Sequence, residues 1–308
     1  MNKKAIRGSI FLLLAAIFWG SAFVAQDEGL KFLGPYSVNG IRFLLGALFL
    51  IPVFLVSDFI KLKKGVTRAE LRERKKNSFI GGVICGVTLA IASSLQQVGL
   101  VYTTAGKSGF ITAMYIVLVP VFGTFFGKKA GLNVWLAVAI AVAGLFFISV
   151  TEDLTVNLGD LLTMICAVAF AVNIMAVDKF VGNADGIFMS FVQILTAGVL
   201  CIIPMIISKE SITVETFWGA FPYVLYIAVF SCCVAYTCQI LGQIDTPPAL
   251  ASVLMSLESV FAMVFGAIIL KERFTVMQYV GAFLMFGAIM LAQFNPFKRK
   301  NKKVSKSE

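Results

Sequence analysis

Two charged residues stand deep inside long apolar stretches of this sequence, Glu258 and Arg42. A charge at the centre of a bilayer costs roughly 3 kcal/mol even on lenient insertion scales, so such residues are by default functional. Glu258 lies about ten residues into its apolar run, near the middle. Its chemistry is that of a group that carries a proton or contacts a substrate amine, or of a carboxyl bonded to neighbouring helices. Arg42 lies roughly 9 Å into its run at 1.5 Å per residue. It has four outlets: snorkelling to the interface, pairing with Asp27 or Glu28 in the neighbouring short loop, reaching Glu258, or binding a substrate carboxylate. Asn39, three residues earlier, shares its helix face.

A neutral polar set accompanies the two charges. Cys232, Tyr236 and Gln239 follow i, i+4, i+7 spacing and fall on one helix face, as do Leu89, Ser93 and Gln96, with Gln97 four residues after Ser93. Thr112 and Tyr115 are three apart, Trp19 and Phe23 four apart, and Asn173 and Gln193 each interrupt an apolar run. Taken singly, such groups serve as interhelical hydrogen bonds, worth about 0.6 kcal/mol each on average, and the aromatics serve as packing. Taken together, they read as the wall of a polar cavity holding one acid and one base. Other chemistries lack their parts. The sequence has no histidine, which excludes Ser-His proteolysis and His-ligated zinc. It has no GxxxxGK[ST] phosphate loop and no pair of intramembrane aspartates.

The elements that must position these side chains are membrane helices. The chain is 59% hydrophobic and 14% charged, with mean hydropathy +0.92; an ordinary soluble domain is about 25% charged. Apolar runs fall at 9–26, 37–57, 79–101, 108–126, 131–150, 159–178, 187–207, 219–241, 248–270 and 275–294. Runs of about 20 apolar residues are what a spanning helix needs, and without strand alternation a barrel is excluded. The first run follows basic residues as a signal peptide does. Phe23 at −3 from Ala25 makes a poor cleavage site, however, and the run has a counterpart later in the chain. All six cysteines lie in spans and read as small packing residues.

The net charge of +10 is distributed as a topology signal. Lys3, Lys4 and Arg7 precede the first span, eight basic residues crowd 61–76, and six more lie in the tail 298–308. With Lys128, Lys129 and Lys179, twenty fall on the side of the N-terminus. Five fall opposite: Lys31, Lys107, Lys209, Lys271 and Arg273. This bias places both termini in the cytoplasm and argues against nucleic acid as the partner of the positive charge; contacts with anionic lipid heads are secondary.

The chain also repeats itself. An offset of 151 matches Gly8 with Gly159 and Trp19 with Phe170, and an offset of 152 matches Gly46 with Gly198 and Pro52 with Pro204. At 143, Gln96 meets Gln239 and Gly99 meets Gly242; at 139, Val121 meets Val260; and at 143 again, Gly144 meets Gly287. The acidic turn Glu152-Asp153 separates the copies. Five spans in each copy turn the second upside down relative to the first, the plan of transporters whose site lies between the halves at the midplane. The expected fold is therefore all-α and integral to the membrane: ten transmembrane helices as two inverted five-helix repeats, residues 1–150 and 151–297, with a basic cytoplasmic tail.

The strings LLLAAIFWGSAFVA (Leu12–Ala25), RFLLGALFLIP (Arg42–Pro52), QQVGLVYTTAGKSGFITAMYIVLVPVFG (Gln96–Gly123) and ALASVLMSLESVFAMVFGAIILKERFT (Ala249–Thr275) resemble the drug/metabolite transporter superfamily, in particular its EamA-type ten-helix members. The resemblance covers nearly the whole chain. It departs at Glu258-Ser259, where the family often has Glu-Pro, while Pro120 stands at the 139-offset place in the first half; and Lys271-Glu272-Arg273 becomes Gly127-Lys128-Lys129. What the resemblance implies is export of amino acids and related metabolites, or exchange of sugar-nucleotides and phosphorylated sugars. One intramembrane cation is few for a polyanion. The expectation is a secondary exporter of a small zwitterionic or neutral metabolite in a bacterial plasma membrane, working by alternating access with Glu258 as the proton-coupling candidate. A lipid flippase and an exchanger of phosphorylated metabolites are the alternatives. The reading calls for no enzyme activity, no cofactor or metal and no obligate protein partner; the partners are a small-molecule substrate and membrane lipids.

Overall fold

The computed structural model describes residues 3–103, 105–127, 130–149, 157–270 and 275–293, and every regular element among them is helical. The tail 298–308, the turn Glu152-Asp153, the basic pair Lys128-Lys129 and the segment Lys271-Glu272-Arg273 lie outside these residues, as does the side chain of Lys107. The helices are α1 (Lys3–Leu30), α2 (Pro35–Lys63), α3 (Arg68–Leu100), α4 (Ala105–Ala113 continued by Tyr115–Phe125), α5 (Leu132–Ser149), α6 (Leu158–Phe180), α7 (Gly186–Ile207), α8 (Val214–Gln243), α9 (Pro248–Ile269) and α10 (Val276–Gln293). Eight are long and apolar enough to cross a membrane, and α5 and α10 contain the shorter apolar stretches Leu132–Phe147 and Val276–Ala292. This is the all-α, ten-helix membrane fold that the apolar runs imply.

Local signals start the helices where they do. Pro35 and Pro248 open α2 and α9 at positions that need no backbone donor. Thr67 caps α3, Asp185 caps α7, and Asn157 with Asp160 and Thr213 with Thr216 form capping boxes on α6 and α8. Four interruptions fall among the described residues. Helix α4 breaks at Met114 and α9 at Ser256-Leu257, and Ile227–Ala235 of α8 and Gly266–Leu270 at the end of α9 are π-helical. Such irregular backbone survives at membrane depth only where protein or a cavity surrounds it.

The two breaks give the repeat read from the sequence a different register. Met114 and Leu257 have the same backbone geometry, φ −60° and ψ −11°, and each precedes the second segment of its helix. They stand 143 residues apart, the offset of the third and eighth and of the fifth and tenth spans, whereas apolar matching alone gave 139 for the fourth and ninth. Side-chain likeness in uniformly apolar helices cannot locate a backbone break.

Helix contacts run in matched pairs. Helix α1 lies against α8 and α9, and α6 lies against α3 and α4; α2 packs on α7 and α5 on α10. Helices α1 and α8 cross at Gly8 and Gly242, near the N-terminal end of the bundle, where a methyl at Gly8 would stand 2.9 Å from the Gly242 carbonyl oxygen. Arg7 bonds Asp245 beside this crossing at 2.6–2.8 Å. Helices α6 and α3 cross at Gly159 and Gly99, at the opposite end, where a methyl at Gly99 would stand 3.0 Å from the Gly159 carbonyl oxygen. There Thr103 donates to Asp160 at 2.8 Å and Asn157 to the Tyr102 carbonyl at 3.0 Å. Under the sequence offsets of 151 and 143 these glycines correspond, and a close crossing is made at each end of the bundle.

Each end carries a second clasp. Glu210, from the α7–α8 connection, accepts from Tyr36 N at 3.1 Å, Ser37 N at 2.7 Å and Ser37 Oγ at 2.6 Å, covering the start of α2. At the other end Lys61 of α2 pairs with the buried Asp185 that caps α7, and the Asp185 amide donates to Ser78 Oγ at 2.7 Å. The cysteines are free and buried, as their placement in the spans implies.

Candidate functional site

Between the clasped ends lies a narrow cavity of about 30 Å³, room for ordered water. Helix α1 contributes Trp19, Phe23 and Gln26, α2 Arg42, α3 Gln96, and α4 Thr112 and Tyr115. From the other half come Phe170 and Ile174 of α6, Ser231, Tyr236 and Gln239 of α8, and Met255 and Glu258 of α9. The breaks in α4 and α9 place Tyr115 and Glu258 as the first residues after each interruption. The Tyr115 hydroxyl donates to Glu258 Oε1 at 3.1 Å, and Glu258 is only 5% exposed. A carboxylate in the first turn of a helix segment also faces the positive end of its dipole.

Arg42 has a different partner from those the sequence suggested. Glu28 pairs with Lys31 at 2.5 Å and Asp27 is exposed, so neither neutralises Arg42. Its Nη1 donates instead to Gln26 Oε1, while Gln26 Nε2 donates to the Ala22 carbonyl at 3.3 Å. The guanidinium lies 4.9 Å from the centre of the Phe43 ring. Glu258 lines the same cavity but makes no ion pair with Arg42.

Gln96 and Thr112 tie α3 to α4 by a 3.1 Å hydrogen bond, and Trp19 meets Tyr236 edge-on at 5.0 Å. Three polar atoms on the wall have no protein partner: Trp19 Nε1, Arg42 Nε and Gln239 Oε1. Buried polar groups are normally satisfied, so a donor, a charged donor and an acceptor left over in one cavity fit a polar ligand or ordered water.

Nine of the anticipated residues thus share one wall: Trp19, Phe23, Arg42, Gln96, Thr112, Tyr115, Tyr236, Gln239 and Glu258. The other five do not line it. Asn39 Nδ2 donates to the Ser93 carbonyl at 2.9 Å, and Ser93 turns its hydroxyl onto the Ala90 carbonyl of its own helix. Asn173 Nδ2 bonds the Cys85 carbonyl and Thr88 Oγ1, fastening α6 to α3. Gln97 and Gln193 are fully buried elsewhere. These side chains are interhelical links or buried amides away from the cavity.

Two lining residues missed by the spacing argument have physical explanations. Cys232 was placed on the face of Tyr236 by α-helical spacing, but the π-helical turns of α8 put five residues between equivalent positions. Ser231 therefore shares the cavity with Tyr236, while Cys232 packs into the cluster around Phe43. Gln26 continues the Trp19, Phe23 stripe at i+7; the first apolar run ends at this residue, whereas α1 extends to Leu30.

The EamA-like transporter family model matches residues 6–150 and again 157–294. The chain is 29% identical over 292 residues to an "Uncharacterized transporter" of Archaeoglobus fulgidus, covering 94% of this chain and 86% of the relative. It is 22% identical over 295 residues to the "Uncharacterized inner membrane transporter YedA" of Escherichia coli, covering 94% and 91%. A crystal structure with 15% sequence identity superposes at a TM-score of 0.73 over 92% of this chain and 96% of its own; that likeness concerns the fold alone.

Proposed function

We propose that the protein, which belongs to the EamA-like transporter family and is a membrane transporter, exports a small zwitterionic or neutral metabolite, with an amino acid as the substrate class. The observation that carries this reading is the complement of unmet polar groups around one cavity. Arg42 and Trp19 present unused donors, Gln239 an unused acceptor, and Glu258 a carboxyl bonded only by a neutral hydroxyl. A substrate carboxylate answers the first two and a substrate ammonium the last two. Aromatic walls at Trp19, Phe23, Phe170 and Tyr236 suit an apolar side chain; at about 30 Å³ the cavity is contracted here, and a substrate enters as the helices part around it. A single cation disfavours a polyphosphorylated substrate.

The matched crossings support alternating access, with the halves 1–150 and 151–297 rocking about the cavity. Both crossings are tight here, one toward each end of the bundle from the cavity. The excess of basic residues beside the N-terminus favours cytoplasmic termini, and the inner-membrane relative favours a bacterial plasma membrane. Glu258, facing a hydroxyl from the other half, is the natural carrier of a coupling proton. The test is uptake of labelled amino acids by proteoliposomes under an imposed proton gradient, beside a lipid-scrambling assay on the same vesicles. Gradient-driven amino-acid flux is the expected result; scrambling without amino-acid flux would instead favour a flippase.

A further inference from the structure

A buried guanidinium normally finds a carboxylate, because an unpaired charge away from water costs several kcal/mol. Arg42 is 2% exposed and has none: among the described residues no carboxylate stands within ion-pair distance of it. The sequence supplies acids nearby, since Asp27 and Glu28 follow Gln26 directly in α1. Yet the position that meets Arg42 is the amide. Gln26 is itself 4% exposed, and its own Nε2 is anchored on the Ala22 carbonyl, which turns Oε1 toward the guanidinium. Arg42 is therefore held in place by a neutral acceptor and keeps its full charge, with Nε still unpartnered in a cavity wall.

We infer that Gln26 is a positioning residue for the anionic group of the substrate: it orients Arg42 without neutralising it, and so sets the site to prefer a molecule carrying a carboxylate over the same molecule without one. This rests on the cavity being the amino-acid site proposed above. A glutamate at this position has nearly the same shape. It would close an ion pair with Arg42, leaving the cavity no free positive charge to offer a substrate carboxylate.

The experiment uses matched pairs of probes, L-leucine with 3-methylbutylamine and L-phenylalanine with 2-phenylethylamine, titrated calorimetrically into the purified full-length protein. The unaltered protein is expected to bind at least one amino acid tenfold or more tightly than its amine. Gln26→Glu is expected to abolish that preference, and Gln26→Asn, which keeps a neutral amide, to retain it. A preference that survives Gln26→Glu overturns the inference, as does one lost equally in the Asn variant, since shape rather than charge would then be read. If the Glu variant does not fold, Gln26→Leu decides: removing the acceptor frees the guanidinium, and an undiminished preference overturns the proposal. If the unaltered protein binds neither member of either pair, the substrate reading itself falls and takes this inference with it; if it binds amino acid and amine alike, only the inference falls.

Discussion

Tyr115 and Glu258 open the second segments of the two broken helices, stand 143 residues apart, and hydrogen-bond to each other at 3.1 Å. The first residues after two breaks of matching backbone geometry thus meet directly, one carrying a hydroxyl and the other a carboxyl. Matched at 139, Glu258 would face a valine, Val119, and the asymmetry would look like an isolated charge. Matched by the helix breaks, it is one partner of a contact that joins the halves. Any motion of one half against the other must move this bond.

The first prediction concerns that bond. Glu258→Gln keeps an acceptor for Tyr115 and should leave the fold intact. Loss of one interhelical hydrogen bond costs about 0.6 kcal/mol on average, so Tyr115→Phe should be similarly well folded. In proteoliposomes, Glu258→Gln should retain substrate counterflow and lose accumulation driven by a proton gradient. Undiminished gradient-driven accumulation in this variant would remove Glu258 from the coupling.

A second prediction follows from the π-helical stretch of α8. A cysteine introduced as Ser231→Cys faces the cavity, whereas the native Cys232 is buried against Phe43 and its neighbours. When the cavity opens, small maleimides should modify the introduced thiol several times faster than Cys232, and bound substrate should slow the reaction. Preferential modification of Cys232 would place the α-helical register, and not the π-helical one, in the membrane.

What the sequence made legible follows from what a bilayer enforces. Ten apolar runs are visible because each helix must satisfy its backbone and meet lipid, and the Trp19–Phe23 pair is visible because that segment is regular α-helix. Legibility ends where the backbone leaves the 3.6-residue period. The π-turns exchange Cys232 for Ser231, and the break at Met114 hides the match of Tyr115 with Glu258. Polarity alone also fails to separate cavity from fastening: Gln96 and Asn39 are both buried amide side chains, yet Gln96 lines the cavity and Asn39 ties α2 to the Ser93 carbonyl. Which group a side chain reaches depends on helix rotation, which no single stripe encodes.

The Glu210 clasp yields a third prediction. Gly34 has an ordinary φ of −65°, so its glycine is required by space: a methyl there would stand 2.6 Å from Glu210 Oε1. Gly34→Ala should therefore expel the carboxylate and strip Tyr36 and Ser37 of their acceptor, at about 1 kcal/mol, the usual cost of losing a helix N-terminal cap. Glu210→Ala removes the same contact from the other side. The two losses of thermal stability should be strongly non-additive in a double-mutant cycle. Simple addition would show that Gly34 and Glu210 do not act through one contact.

The glycine crossings give the fourth. Gly8 with Gly242 and Gly159 with Gly99 make the same close approach at opposite ends, and a methyl at Gly159 would stand 2.5 Å from the Gly99 carbonyl oxygen. Both contacts involve backbone, which cannot swing aside as a side chain can. Gly159→Ala must part α6 from α3, and Gly8→Ala must part α1 from α8. Overpacking of this kind typically costs about 1–3 kcal/mol, and each substitution acts on the close approach at one end only. With Ser231→Cys as reporter, Gly159→Ala should raise labelling from the side opposite the termini, and Gly8→Ala from the side of the termini. The halves then behave as a rocker whose two closed ends oppose each other. If both substitutions favour the same side, or neither shifts the labelling, the crossings are static packing and the gates lie elsewhere in the bundle.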